Sequence, residues 1–341
     1  MSIVFPMRQK FLCPSFKQNV SNNSVKVSVI LPVYNQEKFL ANAINSLQKQ
    51  TLKDIEFICV NDGSQDQSLS ILQKFAQKDS RVKILSQKNQ GAGCARNNGL
   101  KIAKGEFVAF LDPDDWFEPD ALEKLYKKAK KQNCDMVVFN FKKTDEFGNL
   151  LGKHNLKDRL RGVCNLNEQA NFHWRDIKSR VLGGLFPAAW NKFYSNEFLK
   201  KNKLHFSKCS VGEDNVFVFG STLKAKSIGY SDEYLYNYLI HKNSALHTRS
   251  NQKLCIFKSV DSVKKLITDM GLMNELQQEY DRYVLRMVSF LSRKVETLSK
   301  LKDVCKRKLS AQQYSMLQER FLANSKLLPI LNALLARKVK I

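Results

Sequence analysis

The ten residues VKVSVILPVY, 25–34, decide how the rest of the chain is read. They form a continuous β-branched run, the pattern of a strand buried on both faces of a sheet. The next stretch, NQEKFLANAINSLQKQ (35–50), changes period: Phe39, Leu40, Ala43, Ile44 and Leu47 recur at helical spacing. The alternation then repeats. IEFICVND (55–62) reads as a strand and QDQSLSILQKFAQK (65–78) as a helix; RVKIL (81–85) is a short strand and GAGCARNNGLKIAK (91–104) a helix. EFVAFLD (106–112), PDALEKLYKKAKKQ (119–132) and DMVVFNF (135–141) continue as strand, helix, strand. Strands alternating with helices of this length predict an α/β fold, a mostly parallel sheet with helices on both faces. Ligands of such sheets bind beyond the carboxyl ends of the strands. Asn61-Asp62-Gly63 closes the second strand and Asp112 the fourth, so both stand where a ligand is expected.

With 341 residues, 43% of them hydrophobic, 22 Phe and 10 Tyr, the chain can bury a real core as one large domain or two ordinary ones. The 8 cysteines contain no CxxC pair and read as free thiols of a reducing compartment, with no structural zinc or disulfide scaffold. Residues 1–24 are a basic leader without acids and without the apolar core or cleavage site of a signal peptide. No window nears the roughly 18 apolar residues of a spanning helix, so the expected location is cytoplasmic, at most peripheral on the inner face of the plasma membrane.

Beyond residue 250 the pattern turns helical. Ile256, Val260, Val263 and Ile267 form one apolar stripe; Leu276, Tyr280, Tyr283, Met287, Leu291, Val295 and Leu298 form another. Residues 251–341 hold 18 Lys/Arg against 8 Asp/Glu, and the last segment, LLPILNALLARKVKI (327–341), is an apolar stripe closed by bases. Such stripes pack on the domain, on a second copy in a homo-oligomer or, for the last segment, on an anionic membrane surface. The net charge of +24 favours an anionic partner. Nucleic acid is not expected, because the bases are spread over helix faces rather than clustered with aromatics.

Against that charge, FLDPDDWFEPD (110–120) gathers Asp112, Asp114, Asp115, Glu118 and Asp120. A turn followed by a helix start accounts for Pro113, Pro119, Glu118 and Asp120. It accounts less well for Asp112 and Asp114, which follow a buried strand two residues apart with no base beside them. Carboxylates so placed repel each other unless a cation lies between them. Oxygen ligands at this density suit Mg²⁺ or Mn²⁺, with phosphate oxygens completing the shell. A divalent metal holding a nucleotide diphosphate is the economical reading.

Four ordered blocks, VSVILPVYNQEKFLANAINSLQKQT, FICVNDGSQD, NQGAGCARNNGL and FVAFLDPDDWF, resemble the family 2 glycosyltransferases, inverting enzymes of the Rossmann-like GT-A fold. The resemblance runs from about Val25 to Asn140. The later WNKFY, GEDNVFV and YLYNYLIHKNS are similar to the acceptor half of that family, which extends the likeness to about residue 250. It implies a nucleotide-sugar half at 25–140, an acceptor half at 141–250 and an appended helical region at 251–341. It implies nucleotide contacts at Pro32, Tyr34, Asp62, Arg96 and Asp112, and a metal ligand at Asp114, leaving Asp115 open. Structural alternatives stand beside these: a strand-end aromatic for Tyr34, an Asx-turn or helix cap for Asp62, a solvated helix residue for Arg96. Gly91 and Gly93 fit neither the dinucleotide nor the Walker spacing and read as close backbone approach at a helix start.

Sugar transfer also needs a base for the acceptor hydroxyl. VGEDNVFVFG places Glu213 and Asp214 at a helix start, where acids are also ordinary capping residues. The resemblance implies Asp214 as the base and Glu213 as its support. Trp190 reads either as core or as part of a sugar-stacking acceptor wall with Tyr234, Tyr236 and Tyr238. By the resemblance, His241 is a metal or diphosphate contact, and Leu239 stands where many relatives carry Arg. The expected activity is metal-dependent transfer from a nucleotide-diphosphate sugar, a UDP-sugar foremost, to a hydroxyl of a glycan or glycolipid in bacterial surface polysaccharide or lipopolysaccharide synthesis. A non-catalytic nucleotide-sugar or glycan-binding module on the same fold is the alternative. A nucleotidyltransferase is disfavoured by the lack of a Gly-, Arg- and Lys-bearing loop after the first strand.

Overall fold

The computed structural model describes residues 24–208, 212–241 and 256–292. The leader, the stripe positions beyond residue 292 and the final basic segment lie outside them.

Strand β1 (Val27–Val33) is buried at all seven positions. Successive side chains of a strand point to opposite faces, so both faces of the sheet are covered here, as the β-branched run predicts. It pairs in parallel with β2 (Ile55–Asn61) on one side and β4 (Phe107–Phe110) on the other, and β3 (Val82–Ser86) lies parallel to β2. The crossovers are α1 (Leu40–Gln48), α2 (Ser68–Lys78) and α3 (Ala92–Ile102). Helix α1 buries Leu40, Ala43, Ile44 and Leu47 of the stripe read from the sequence.

The sheet continues past β4 with a change of direction. After β5 (Trp116–Phe117) and α4 (Ala121–Gln132) come β6 (Met136–Thr144), β7 (Leu150–His154), β8 (Lys192–Ser195) and β9 (Ile228–Leu239). The order is β3-β2-β1-β4-β8-β6-β9-β5, with β7 on β6. Strand β8 lies antiparallel between β4 and β6, whereas β6 and β9 are parallel. The first four strands are thus parallel and the second half mixed. This has a positional consequence: β9 runs back beside β5 and brings residues 236–241 against the Asp112–Asp115 turn.

The remaining helices are α5 (Leu156–Leu160), α6 (Asn196–Lys201), α7 (Glu213–Lys224), α8 (Ile256–Asp269) and α9 (Met273–Ser292), with a 3-10 segment at Trp174–Arg180. Helix α8 buries Val260, Val263 and Ile267, and α9 buries Leu276, Tyr280 and Tyr283. Their polar contacts run to the same chain: Asn215 Nδ2 on α7 donates to Tyr283 Oη at 2.8 Å, and Arg286 Nη2 donates to the Leu182 carbonyl at 2.9 Å. Of the partners expected for these stripes, the buried positions of the described helices pack on the domain itself. No described helix is long and apolar enough to cross a membrane. Cys59, Cys94, Cys134 and Cys164 are free thiols.

Candidate functional site

Tyr34 follows β1, Asp62 follows β2 and Asp112 follows β4, so the sheet sets all three at one edge. The β1–β4 ladder stops at Ile30, two residues before Pro32, which has no N–H to contribute. Tyr34 is 42% exposed. The loops after β1 and β2 are clipped together. Asn35 N–H donates to Ser64 Oγ at 3.2 Å, Gln65 N–H to Asn35 Oδ1 at 2.8 Å, and Glu37 N–H to Asp66 Oδ2 at 3.0 Å.

Asp62 is buried, and its oxygens accept three bonds of 2.8 Å, from Gln87 Nε2, Gln90 N–H and Gly91 N–H. Two of these donors are the backbone leading into α3, where Gly91 has φ +88. Asp62 thereby fixes the approach to α3. That helix enters close to its neighbour, since a Cβ on Gly93 would lie 2.6 Å from the Ser207 carbonyl. The close approach read from the glycines is present.

Helix α3 delivers Arg96 into the centre of the site. Its side chain is only 5% exposed, with Nη2 2.7 Å from Asp112 Oδ1 and Nη1 2.9 Å from Asp214 Oδ1 and 3.7 Å from Glu213 Oε1. The solvated-helix alternative for Arg96 is excluded. Burial works against its charge, but the three carboxylates outweigh burial and hold it firmly protonated. Burial pushes the Asp112 carboxyl up to about 6; Arg96 opposes this, while Asp114 and Asp214 add to it. Asp214, in the first turn of α7, also accepts the Ala189 N–H at Oδ2, 3.2 Å away.

The three acids of the DPDD turn have separate environments. Asp114 is partly exposed and meets His241, Oδ2 to Nε2, at 3.0 Å. His241 is buried with its ring 4.5 Å from that of Phe39. Asp115 is wholly buried and accepts Tyr236 Oη–H and Leu239 N–H, both at 2.7 Å. Burial and the charges of Asp114 and Asp112 hold its carboxyl well above the usual range. Its task is structural: it ties β9 to the turn, and that tie carries His241 to Asp114. Leu239 is itself buried and offers no cation.

Of the two readings of Trp190, core or acceptor wall, the packing is that of the core. The indole is 4% exposed and stacks on Tyr236 and Tyr238 at centroid distances of 4.6 and 5.5 Å. It is floor packing, because the apolar area of an indole is buried wherever neighbouring rings can cover it. Lys192, two residues on, escaped the sequence reading although WNKFY contains it. Its side chain is wholly buried and donates to the carbonyls of Phe186 (2.6 Å) and Ala188 (2.8 Å) and to Asn191 Oδ1 (2.8 Å). No apolar period marks a lysine for burial, so no sequence signal would have found it.

Fold and site together define a GT-A-like α/β enzyme. The Glycosyl transferase family 2 model matches residues 28–199, half of the chain. EpsH of Bacillus subtilis, described as a putative glycosyltransferase, is 33% identical over 266 residues, 76% of this chain and 74% of its own. The cholesterol galactosyltransferase of Borreliella burgdorferi is 34% identical over 283 residues, covering 78% and 74%. The solved structure of Staphylococcus aureus TarS 1–349 in complex with UDP-GlcNAc superposes with a TM-score of 0.60 at 21% identity, over 90% of this chain and 81% of that one. This chain belongs to glycosyl transferase family 2, and it is a glycosyltransferase.

Proposed function

We propose that the enzyme is an inverting, metal-dependent transferase that moves a sugar from a nucleotide diphosphate, a UDP-sugar foremost, to a hydroxyl of a bacterial surface glycan or glycolipid. The observation that carries this reading is one buried cation, Arg96, joining the strand-end Asp112 to Asp214 on α7. The fold is shared with TarS, solved with UDP-GlcNAc, and with a Pyrobaculum calidifontis mannosyltransferase solved with GDP-Man and Mn²⁺ (TM-score 0.53, 16% identity). The relatives include a poly(ribitol-phosphate) β-glucosyltransferase of Bacillus spizizenii, which supports a surface-polymer acceptor.

In this reading Pro32 and Tyr34 flank the base. Asp62 uses the last of its roughly four acceptor positions toward the base, three being filled by the α3 approach. Asp112 faces the sugar-nucleotide. Asp214 takes the proton from the acceptor hydroxyl while that oxygen bonds to the anomeric carbon from the opposite side. The bond from that carbon to the diphosphate oxygen breaks, and the leaving diphosphate keeps the electron pair. Arg96 and the Ala189 N–H hold the Asp214 carboxylate in place, with Glu213 as its support.

A divalent ion is compatible with these residues. The 3.0 Å between Asp114 Oδ2 and His241 Nε2 suits neighbouring ligands of an octahedral ion with bonds of about 2.1 Å. No group of three or more His, Cys, Asp or Glu among the described residues could hold a metal unaided, so diphosphate oxygens and water would complete the shell. Such an ion would neutralise the charge of the leaving diphosphate.

The test is a donor screen. Protein is incubated with UDP-, GDP- and dTDP-sugars in Mn²⁺, Mg²⁺ or EDTA, and nucleotide diphosphate release is followed for wild type and Asp114→Ala. Release from one donor, dependent on metal and lost in the variant, is expected. Failure to release or bind any nucleotide with any metal would sink the transferase reading and favour a non-catalytic binding module.

A further inference from the structure

We infer that Lys192 is a positioning residue for Asp214, acting through the single peptide unit between Ala188 and Ala189. The inference rests on the reading of Asp214 as the base. In a trans peptide the C=O and the following N–H point in opposite directions. Lys192 Nζ donates to the Ala188 carbonyl at 2.8 Å on one side of this peptide. On the other side, the Ala189 N–H donates to Asp214 Oδ2 at 3.2 Å. Pulling the carbonyl toward the ammonium therefore turns the N–H toward the carboxylate.

The anchor is rigid. Lys192 is the first residue of β8 and is held in register opposite Val138 of β6. Its three acceptors, Phe186 O, Ala188 O and Asn191 Oδ1, match the three N–H bonds of an ammonium group. The preceding part of the same loop is gathered likewise, since Arg159 donates to the carbonyls of Gly183 and Gly184. Half-buried Arg159 and buried Lys192 thus hold the carbonyls of Gly183, Gly184, Phe186 and Ala188, while the Ala189 N–H faces Asp214. Burial lowers the lysine pKa to about 7, and the charge of Asp214 counters that fall. A lysine kept in so unfavourable a place, with each proton used, has a directional task that a methionine of the same length could not perform.

The experiment has two readouts. In the full-length protein labelled with ¹⁵N-alanine, the Ala189 amide proton is expected downfield, as for an N–H bound to a carboxylate. Asp214→Asn should move it upfield, and Lys192→Met should move it the same way although Lys192 does not touch it. In transfer kinetics, Lys192→Met should lower kcat about 10- to 100-fold, the cost of one hydrogen bond to a charged group, with donor KM unchanged. It should add little to Asp214→Asn in the double variant.

If Lys192→Met does not fold, replacing Ala189 by lactic acid removes the N–H and weakens the Ala188 carbonyl as an acceptor, the two ends of the proposed relay, and should reproduce the kcat loss. An unmoved Ala189 resonance in folded Lys192→Met, or full activity of the ester protein, overturns the relay. Asp214→Asn with wild-type kcat would instead sink the base assignment, and the resonance would still report on the relay.

Discussion

Arg96 Nη1 lies 2.9 Å from Asp214 Oδ1 across 118 residues of sequence, joining α3 of the strand-rich half to the first turn of α7. The same guanidinium holds Asp112 at 2.7 Å. Both carboxylates are only partly exposed, the guanidinium between them is buried, and their mutual repulsion is contained by that one cation.

Arg96→Met should therefore destabilise the protein by about 3 kcal/mol, the cost of leaving such carboxylates without their partner. Urea unfolding followed by circular dichroism measures it. Nucleotide diphosphate release should be lost as well. A midpoint within error of wild type would show that water satisfies both acids.

The raised Asp112 carboxyl predicts a pH signature. Its folded value of about 6 exceeds the ordinary aspartate value near 3.9, so the folded state binds the proton more tightly than the unfolded chain. Its contribution is complete below about pH 4 and is lost as pH rises through about 6. Asp112→Asn has no such proton to lose. Without ligand, the stability of Asp112→Asn relative to wild type should rise by about 2 kcal/mol between pH 4 and pH 7. Thermal unfolding of both proteins at several pH values checks the sign.

Asp114 and Asp115 are adjacent in sequence and opposite in consequence. Asp115→Ala leaves the buried Tyr236 hydroxyl and Leu239 N–H without their acceptor and should cost about 2–4 kcal/mol. Asp114→Ala removes a partly exposed group and should cost under about 1 kcal/mol while weakening Mn²⁺ binding. Calorimetry of unfolding and of Mn²⁺ titration separates them. A Tm loss in Asp114→Ala as large as that in Asp115→Ala would contradict the division.

Tyr283→Phe tests whether α9 supports α7, the helix that carries the proposed base. The Tyr283 hydroxyl accepts Asn215 Nδ2, one residue after Asp214. Its removal should cost about 1 kcal/mol and reduce turnover several-fold with little effect on nucleotide affinity. Equal losses in affinity and turnover would point to general destabilisation instead.

Much of this molecule was legible along the chain. The β-branched run at 27–33, the α1 stripe and the strand-end positions of Asp62 and Asp112 follow from periods of 2 and 3.6 and from the turn residues between them. These are local properties: each side chain's place depends on neighbours within a few residues. The pairing of Arg96 with Asp214, the division of labour between Asp114 and Asp115, the burial of Trp190 and the three acceptors of Lys192 depend on β8 and β9 arriving beside strands far away in sequence. Trp190, readable as core or as acceptor wall, and the C-terminal stripes, readable as packing on the domain or on a second copy, were left open along the chain for one reason. A sequence shows that a side chain is apolar, but only tertiary packing decides which surface covers it.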